Sequence, residues 1–352
     1  MPSEPTTPAL VAVDHCPSCG TSRGASSKAT PSNPVWPERG GIAVVRCAGC
    51  GLVHATAGYA PRFLDAHYTD RAARASLGAS TGMAPRPGSE RKRQALALYD
   101  RLTGGKLCAA PSGAVALDVG CGQGMLLDLL REAGWQTVGI ERSGAAAAAI
   151  DAGHRVHAID VEDPDERTAL DERFDVITMT HVLEHLRNPV GALRWIASHL
   201  REDGLAVVEV PNWEDLARPL WGARYRPLEL GDHLSFFERR TLTDLAERAD
   251  LRVRTLWSAA QARTLLFPSL LTGLDTVAEG LRALRGARRA KPSNAGVGVA
   301  SQRVTPGAGR LRHAAVTAAL SRLDRLDPLL ESLSGTGWAR GANLVAVLER
   351  PR

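Results

Sequence analysis

The sequence predicts an α/β protein organised around a doubly wound, mostly parallel sheet of seven strands. From residue 114 onward, short apolar runs alternate with segments of helical periodicity, which is typical of a parallel sheet with helices on both faces. The first apolar run leads directly into Gly120, Gly122 and Gly124, and a helical segment follows these glycines. A strand, a glycine turn and a helix in this order predict a ligand site at the carboxyl edge of the sheet.

Each element is predicted from its own stretch of sequence. Predicted strands lie near residues 114–119, 136–140, 155–158, 174–179, 204–210, 251–257 and 343–349. Predicted helices lie near residues 61–68, 91–102, 123–133, 143–152, 189–201 and 238–249. The pair Asp203-Gly204 is expected to turn the chain into the fifth strand, because both residue types favour turns.

These elements divide the chain into five predicted segments. Residues 1–60 form a metal-binding module whose first 12 or so residues are disordered, and residues 61–110 form a helical linker or flap. Residues 111–258 form the core of the sheet, residues 259–341 a basic helical insert, and residues 342–352 the final strand.

The charge of the chain is concentrated in the insert. The 352 residues carry a formal net charge of +5, and residues 280–323 contain nine Lys or Arg and no Asp or Glu. This segment is interpreted as a solvated insert, and the alternatives are a lid, a homodimer arm and a binding site for an anionic partner such as nucleic acid. The sequence shows no secretory signal and no apolar stretch long enough to span a bilayer, so a cytoplasmic location is expected.

Two Cys-x-x-Cys pairs predict a metal site in the N-terminal module. Cys16 and Cys19 form the first pair, Cys47 and Cys50 the second, and a glycine follows each pair. Two thiolates at this spacing can hold one ion, and the glycine permits the turn that directs backbone N–H groups at the sulfurs. Four thiolates complete a tetrahedral Zn²⁺ shell with no open position, so the predicted zinc is structural rather than catalytic.

The glycine turn and the end of the next strand together predict the cofactor. The turn spaces its glycines more tightly than a pyrophosphate-binding turn, and Asp118 just before it favours a cationic ligand. Glu141 ends the second strand, where a carboxylate can accept hydrogen bonds from both hydroxyls of a ribose. This combination resembles the S-adenosylmethionine (SAM) site of class I methyltransferases, whose Rossmann-like fold also has seven strands. The resemblance implies SAM contacts from Asp118, Gly120, Cys121, Gly122, Gly124 and Glu141.

Two further resemblances assign the remainder of the cofactor site. In the same family an acidic residue after the third strand contacts the adenine amine, and the next residue packs on the ring, which implies these roles for Asp160 and Val161. A turn cap is the alternative role of Asp160. The sequence His181-Val-Leu-Glu-His185 after the fourth strand closely resembles a signature of methyltransferases that act on small molecules, and His181 is expected to line the methionine end of the cofactor.

The catalytic base is expected among the histidines of this region. His185 is the first candidate, because an imidazole near neutral pH can take a proton from a hydroxyl, an amine or an activated carbon. Glu184 is expected to orient the acceptor or its partner. The segment His233-Leu-Ser-Phe-Phe also resembles the family, in which this histidine lies close to the acceptor, so His233 is the second candidate. The alternative for each histidine is a packed side chain at the top of the sheet.

These patterns predict a SAM-dependent methyltransferase with a small-molecule acceptor. The N-terminal module resembles the zinc module of sugar C-methyltransferases, in which a tyrosine near the acceptor site corresponds to Tyr59 or Tyr68. The chain departs from that family after residue 258, where a second substantial domain would be expected. The alternatives are a methyltransferase acting on RNA or protein, a non-catalytic SAM-binding protein and, disfavoured by the glycine spacing, an NAD-dependent oxidoreductase.

Overall fold

The central sheet has seven strands, as the sequence predicts. A computed structural model describes residues 9–22, 34–60, 63–64, 89–221, 225, 229–259 and 341–352. In chain order the strands of this sheet are β6 (Val115–Val119), β7 (Gln136–Ile140), β8 (Arg155–His157), β9 (Phe174–Thr180), β10 (Leu200–Pro211), β12 (Arg252–Ala259) and β13 (Asn343–Glu349).

The strand order identifies the fold. Across the sheet it is β12-β13-β10-β9-β6-β7-β8, so the chain starts in the middle, moves to one edge, returns, and moves to the other. The pairs β6–β7, β7–β8, β6–β9 and β9–β10 are parallel, whereas β13 is inserted antiparallel to β10. This is the Rossmann-like class I methyltransferase fold, and it confirms the predicted fold class.

Five of the helices in the described residues agree with predicted helices. The helices are α1 (Ser89–Thr103), α2 (Met125–Glu132), α3 (Ala146–Asp151), α4 (Pro164–Arg167), α5 (Pro189–His199), α6 (Ala217–Trp221) and α7 (Arg239–Arg248), of which α4 and α6 were not predicted. The residues of β6 are all buried, as expected for an interior strand covered on both faces. The apolar side of α2 packs on the sheet through Leu126, Leu127, Leu129 and Leu130.

One expected turn is absent. Asp203 and Gly204 lie inside β10, which begins at Leu200 and shifts its register against β9 between Leu200 and Leu205. A Cβ on Gly204 would lie 2.9 Å from the carbonyl oxygen of Phe174, so this glycine permits a close approach of two backbones. The prediction of a turn was wrong because a glycine within an irregular strand gives the same local signal.

The N-terminal module shares a sheet with the core. β1 (Leu10–Ala12) pairs with β5 (Ala57–Tyr59). A second sheet contains β2 (Pro34–Arg39), β3 (Ile42–Arg46) and β4 (Val53–Ala55) from the module and β11 (Ser235–Phe236) from the core. The order of its strands is β11-β4-β3-β2. Both regions belong to the same compact unit.

A second compact unit consists of residues 215–226 and 259–342. Within it, the Tyr225 hydroxyl donates a hydrogen bond of 2.9 Å to Asp215. Most of the predicted basic insert and much of the predicted 61–68 helix, including Tyr68, lie outside the described residues. Over the part of the chain that is described, no helix is long and apolar enough to cross a bilayer.

Candidate active site

The three glycines after β6 differ in their surroundings. All three have positive φ, at 73°, 53° and 80° for Gly120, Gly122 and Gly124, a conformation that L side chains rarely adopt. A Cβ on Gly120 would lie 2.3 Å from Val182 Cγ2, and one on Gly124 would lie 2.9 Å from Ala149 Cβ. A Cβ on Gly122 would meet no atom within 4 Å. The outer two glycines therefore allow close packing, and the middle one leaves the backbone open to a ligand.

Glu141 fixes the open glycine in place. Its Oε2 accepts a hydrogen bond of 3.0 Å from the Gly122 N–H, and its Oε1 accepts one of 2.8 Å from the Ser143 N–H. Each carboxylate oxygen has a second lone pair, which can accept a ligand hydroxyl. The predicted ribose-binding residue thus lies directly beside the glycine turn.

Asp118 lies beneath the turn rather than beside its open face. It is buried in β6 and accepts a hydrogen bond of 2.7 Å from the Thr178 hydroxyl. Burial raises its pKa to about 6, against the opposing effects of the positive charge of Lys92 and of the Thr178 hydrogen bond. At neutral pH the group is mainly ionised, so it contributes negative charge beneath the site rather than an exposed ligand atom.

The remaining predicted cofactor residues lie at the same edge of the sheet. Asp160 contacts Arg142 through Oδ2 and caps its own turn by accepting the Glu162 N–H at 2.8 Å. Val161 is buried in the hydrophobic core. The Cys121 side chain is also buried and points at β7, since a Cβ on Gly139 would lie 2.6 Å from its sulfur. Only the backbone of Cys121 therefore faces the open side of the turn.

His181 lies between two buried carboxylates. Its Nδ1 is 3.2 Å from Glu184 Oε1 and its Nε2 is 3.5 Å from Glu209 Oε1, while 43% of its side chain is exposed. The partial burial of the ring lowers its pKa, but the bonds to the two carboxylates outweigh this effect and raise the pKa to about 10. Its φ of 55° is rare for a residue with a side chain and marks local backbone strain at the end of β9.

Glu209 anchors a polar network that the sequence analysis did not assign. The Tyr99 hydroxyl and the Asn343 amide both donate to this buried carboxylate, and Tyr99 also contacts the Thr180 hydroxyl at 3.2 Å. Burial raises the pKa of Glu209, but the bonds to His181 and Tyr99 lower it overall to about 2. An acidic residue within the otherwise apolar run 205–210 was a visible signal for Glu209, whereas nothing local singles out Tyr99 or Asn343.

The second cluster joins both predicted base candidates. His185 Nδ1 is 3.2 Å from Asp232 Oδ1 and 3.1 Å from the Asp232 carbonyl oxygen. Its Nε2 is 3.9 Å from Glu184 Oε1, and its ring lies edge-on to the His233 ring with centroids 4.7 Å apart. Within the described residues, Glu184 Oε2 is buried without a hydrogen-bond partner. The structure therefore brings His185, Glu184 and His233 together and adds Asp232.

The two histidines of this cluster have opposite pKa shifts. Burial lowers the pKa of His185, but Asp232 and Glu184 raise it overall to about 9. Burial lowers the pKa of His233, and the charge of His185 lowers it further, against the attraction of Glu184, Glu229 and Asp232. At neutral pH His185 is therefore an imidazolium, and His233 is a neutral imidazole.

The four predicted zinc ligands converge on one point. Their sulfur atoms all lie within 4.8 Å of one another, with Cys16 and Cys50 at 3.5 Å and Cys19 and Cys47 at 3.5 Å. A tetrahedral zinc site with Zn–S bonds of about 2.3 Å separates its sulfurs by about 3.8 Å. The cluster has the chemistry and spacing of a structural Cys₄ zinc site.

Backbone groups at this cluster favour the thiolate form of two cysteines, which is the form that binds a metal ion. The Cys16 thiol has a raised pKa, and that of Cys50 is lowered to about 4, in both cases chiefly because the two sulfurs share a hydrogen bond. Backbone N–H groups of Ser18 and Cys19 favour the Cys16 thiolate, and that of Leu52 favours the Cys50 thiolate. Four thiolates this close repel one another unless a cation lies between them.

The cysteine module contacts the segment that carries His233. Ser235 pairs with His54 and Phe236 with Val53 in an antiparallel ladder. The Leu234 carbonyl accepts the Ala55 N–H at 2.9 Å, and the Leu234 N–H donates to the Glu184 carbonyl at 2.8 Å. The backbone of Leu234 thus connects the module to the His181–His185 motif through two hydrogen bonds.

Taken together, the carboxyl edge of the sheet can hold a cation and move a proton. Apart from the Asp160–Arg142 ion pair and the exposed Glu229, the charged groups described above at this edge are five carboxylates and three cations, which leaves an excess of negative charge that favours a positively charged ligand. The carboxylates are Asp118, Glu141, Glu184, Glu209 and Asp232, and the cations are Lys92, His181 and His185.

Comparison with known families agrees with this chemistry. A family model described as a methyltransferase domain matches residues 88–256, a range that contains the glycine turn, Glu141 and both candidate histidines. Similar proteins include ubiquinone biosynthesis O-methyltransferases. That of Bradyrhizobium diazoefficiens is 36% identical over 132 residues, which are 34% of this chain and 51% of the relative. That of Shewanella halifaxensis is 28% identical over 150 residues, 40% of this chain and 64% of the relative.

These likenesses are partial. The chain spans about half the length of the curated relatives it matches, 51% in the case of Bradyrhizobium diazoefficiens. Among solved structures, a SAM-dependent methyltransferase from Archaeoglobus fulgidus aligns with a TM-score of 0.42 at 15% identity, over 74% of this chain and 94% of that one. Magnesium protoporphyrin IX methyltransferase from Synechocystis aligns with a TM-score of 0.41 at 14% identity, over 56% and 92%. The fold assignment rests on the strand order and not on these scores.

Proposed function

We propose that this protein transfers a methyl group from SAM to a small-molecule acceptor. The observation that carries the proposal is the contact between the glycine turn and the His181–His185 motif. Gly120 lies so close to Val182 that a Cβ added to Gly120 would lie 2.3 Å from Val182 Cγ2. The open backbone of the turn is therefore adjacent to the histidine and carboxylate clusters, as a cofactor and an acceptor must be for methyl transfer.

The cofactor is proposed to lie along the open face of the turn. Gly122 provides space, Glu141 accepts the ribose hydroxyls, and Asp160 with Val161 takes the adenine end. His181 lines the methionine end, and Asp118 supplies negative charge from beneath. When bound, SAM supplies a methyl group already activated on a sulfonium sulfur. The residues of the chain then have to align the acceptor, exclude water and accept its proton.

His233 is proposed as the base, with His185 as its charged partner. A base must be unprotonated at the working pH, and the lowered pKa of His233 satisfies this requirement, whereas the pKa of His185 is raised to about 9. The His185 imidazolium can instead stabilise the oxyanion that forms when the acceptor loses its proton. The order of the two candidates is thus the reverse of the order that the sequence motif suggests. The charged and titratable groups facing the pair are Glu184, Glu229 and Asp232.

A hydroxyl oxygen is the proposed methyl acceptor. The relatives are named as O-methyltransferases, and a hydroxyl matches a site that pairs a neutral imidazole with an imidazolium. The sugar C-methyltransferase resemblance of the N-terminal module favours a carbon acceptor, but a carbon acid requires a stronger base than an imidazole with a lowered pKa. The zinc is proposed to be structural, because four cysteines leave no open position on the metal.

The test is methyl transfer from radiolabelled SAM into size-fractionated extract of the source cells. The variant His233→Ala is assayed beside the wild type, and SAM affinity is measured for both. The proposal predicts label in the small-molecule fraction with the wild type and loss of that label in the variant, at similar SAM affinity. Label in RNA or protein would contradict the acceptor class. SAM binding without label in any fraction, including fractions supplemented with hydroxyl-bearing metabolites, would favour a non-catalytic SAM-binding protein.

A further inference from the structure

We propose that a second binding site, separate from the methyl-transfer site, recognises the phosphate group of a small molecule. The site is a groove of about 570 Å³ that opens between the first cysteine turn and the helices α5 and α7. Its helical wall presents Arg187, Arg194 and Arg248, and its other wall presents His15 and Ser18. This inference goes beyond the proposed function and does not depend on it.

The groove concentrates positive charge. Three arginines line it and no acidic residue does. None of the three forms an ion pair with a carboxylate in the described portion of the chain. Glu162 lies beside the groove: its carboxylate accepts the Asn188 N–H, and burial raises its pKa against that hydrogen bond and the charge of Arg187. Three guanidinium groups that form no ion pair among the described residues can together bind an anion.

The guanidinium groups keep donors available for a ligand. Arg194 uses one nitrogen to donate to the Arg248 carbonyl at 2.8 Å, and Arg187 reaches the Tyr59 carbonyl at 3.5 Å. A guanidinium has five N–H donors, so most of those in the groove are not used by these contacts. The bond from Arg194 also holds the end of α7 against α5, which fixes the spacing of two of the arginines.

Both walls of the groove are held in place before any ligand binds. The Arg240 side chain donates to the Cys50 carbonyl at 3.1 Å, and Arg46 forms two hydrogen bonds with Glu238, at 2.9 and 2.6 Å. These contacts join the cysteine module to α7. A preformed site binds a small ligand without an ordering cost, which favours a dedicated site over a transient surface contact.

The shape of the donors and the size of the groove favour a phosphate over other anions. The three arginines balance the charge of about −2 on a zinc ion held by four thiolates and the charge of Glu162. Asn188 at the N-terminus of α5 lies in the same wall, but its N–H already donates to Glu162, so the guanidinium groups supply the donors. Planar guanidinium forks bind phosphate oxygens in pairs, and a volume of this order suits a small molecule rather than a polymer.

The test uses the zinc-loaded full chain and inorganic pyrophosphate as the probe, with binding measured by calorimetry. The double variant Arg194→Gln/Arg248→Gln is compared with the wild type and with the control Arg155→Gln. Arg155 is an exposed arginine on β8, outside the groove. We expect the wild type and the control to bind pyrophosphate alike, and the double variant to bind at least tenfold more weakly. Its melting temperature should fall by no more than about 4 °C, as expected for loss of the one bond from Arg194 to the Arg248 carbonyl.

Four outcomes would overturn the proposal. Equal binding by all three proteins would show that the arginines of the groove are not the site, and absence of binding to the wild type would remove the site altogether. Citrate bound as tightly as pyrophosphate would contradict selectivity for phosphate. A short single-stranded RNA that binds more tightly than pyrophosphate, and loses affinity in the double variant, would assign the groove to nucleic acid instead.

Discussion

Gly120 and Gly122 provide a matched pair of substitutions that separates folding from cofactor binding. Both have positive φ, so alanine at either position costs about 1–2 kcal/mol of stability from the backbone alone. At Gly122 the added Cβ meets no atom within 4 Å, so nothing further is expected. At Gly120 it would lie 2.3 Å from Val182 Cγ2, and relief of that overlap adds about 1–3 kcal/mol.

The two variants should therefore change different quantities. Gly122→Ala should lower the melting temperature by about 2–8 °C and weaken SAM binding at least tenfold, because its Cβ occupies the space proposed for the cofactor. Gly120→Ala should cost about twice as much stability. Thermal unfolding and calorimetric titration with SAM measure both effects. Wild-type SAM affinity in Gly122→Ala would refute the proposed cofactor position, and equal stability of the two variants would refute the packing argument.

Three further predictions concern the charged groups. Glu141→Gln should weaken SAM binding at least about tenfold, because it removes the charge-assisted bonds to the ribose and puts an amide NH2 in place of one of the two oxygens that accept the Gly122 and Ser143 N–H groups. Unchanged affinity in a titration would remove the ribose assignment. The pH profile of kcat/KM should rise through a pKa below 6.5, as His233 loses its proton, and fall near pH 9, as His185 loses its own; a profile that rises only near pH 9 would make His185 the base. Removal of zinc with a chelator, or the change Cys19→Ser, should lower the melting temperature and kcat together, whereas Cys108→Ser, at an exposed cysteine, should change neither; loss of kcat at unchanged stability would indicate a catalytic metal.

Much of the fold was predictable because its signals are local. The glycine turn, the acidic strand end at Glu141 and the cysteine pairs depend on residues a few positions apart. The strand bounds of the seven-stranded sheet agree with prediction within a few residues except at β10, whereas the strands of the N-terminal module and β11 were not predicted. The antiparallel pairing of β13 with β10 is not a local property, and it became visible only in the register of the two strands.

The charge states of the site could not be predicted in this way. The motif makes His185 the natural base, but Asp232, 47 residues further along the chain, contacts its Nδ1 and raises its pKa. Tyr99 reaches Glu209 across 110 residues for the same reason. Spacing along the sequence identifies which residues can carry chemistry, whereas their protonation depends on partners that only the fold brings into contact.

The pairing of β11 with β4 has a consequence for biosynthesis of the chain. During synthesis from the N-terminus, β4 emerges early, but its partner strand β11 lies far along the chain. The same holds for the ion pair that joins the module to the core, since Glu238 follows Arg46 by 192 residues. Until then, β4 is an unpaired strand edge of the kind that recruits other chains. A nascent chain must therefore protect this edge until the His233 segment emerges. The step that completes the N-terminal sheet also brings Asp232 and His233 to the candidate active site, whereas Asn343 joins the site only after β13 has been made.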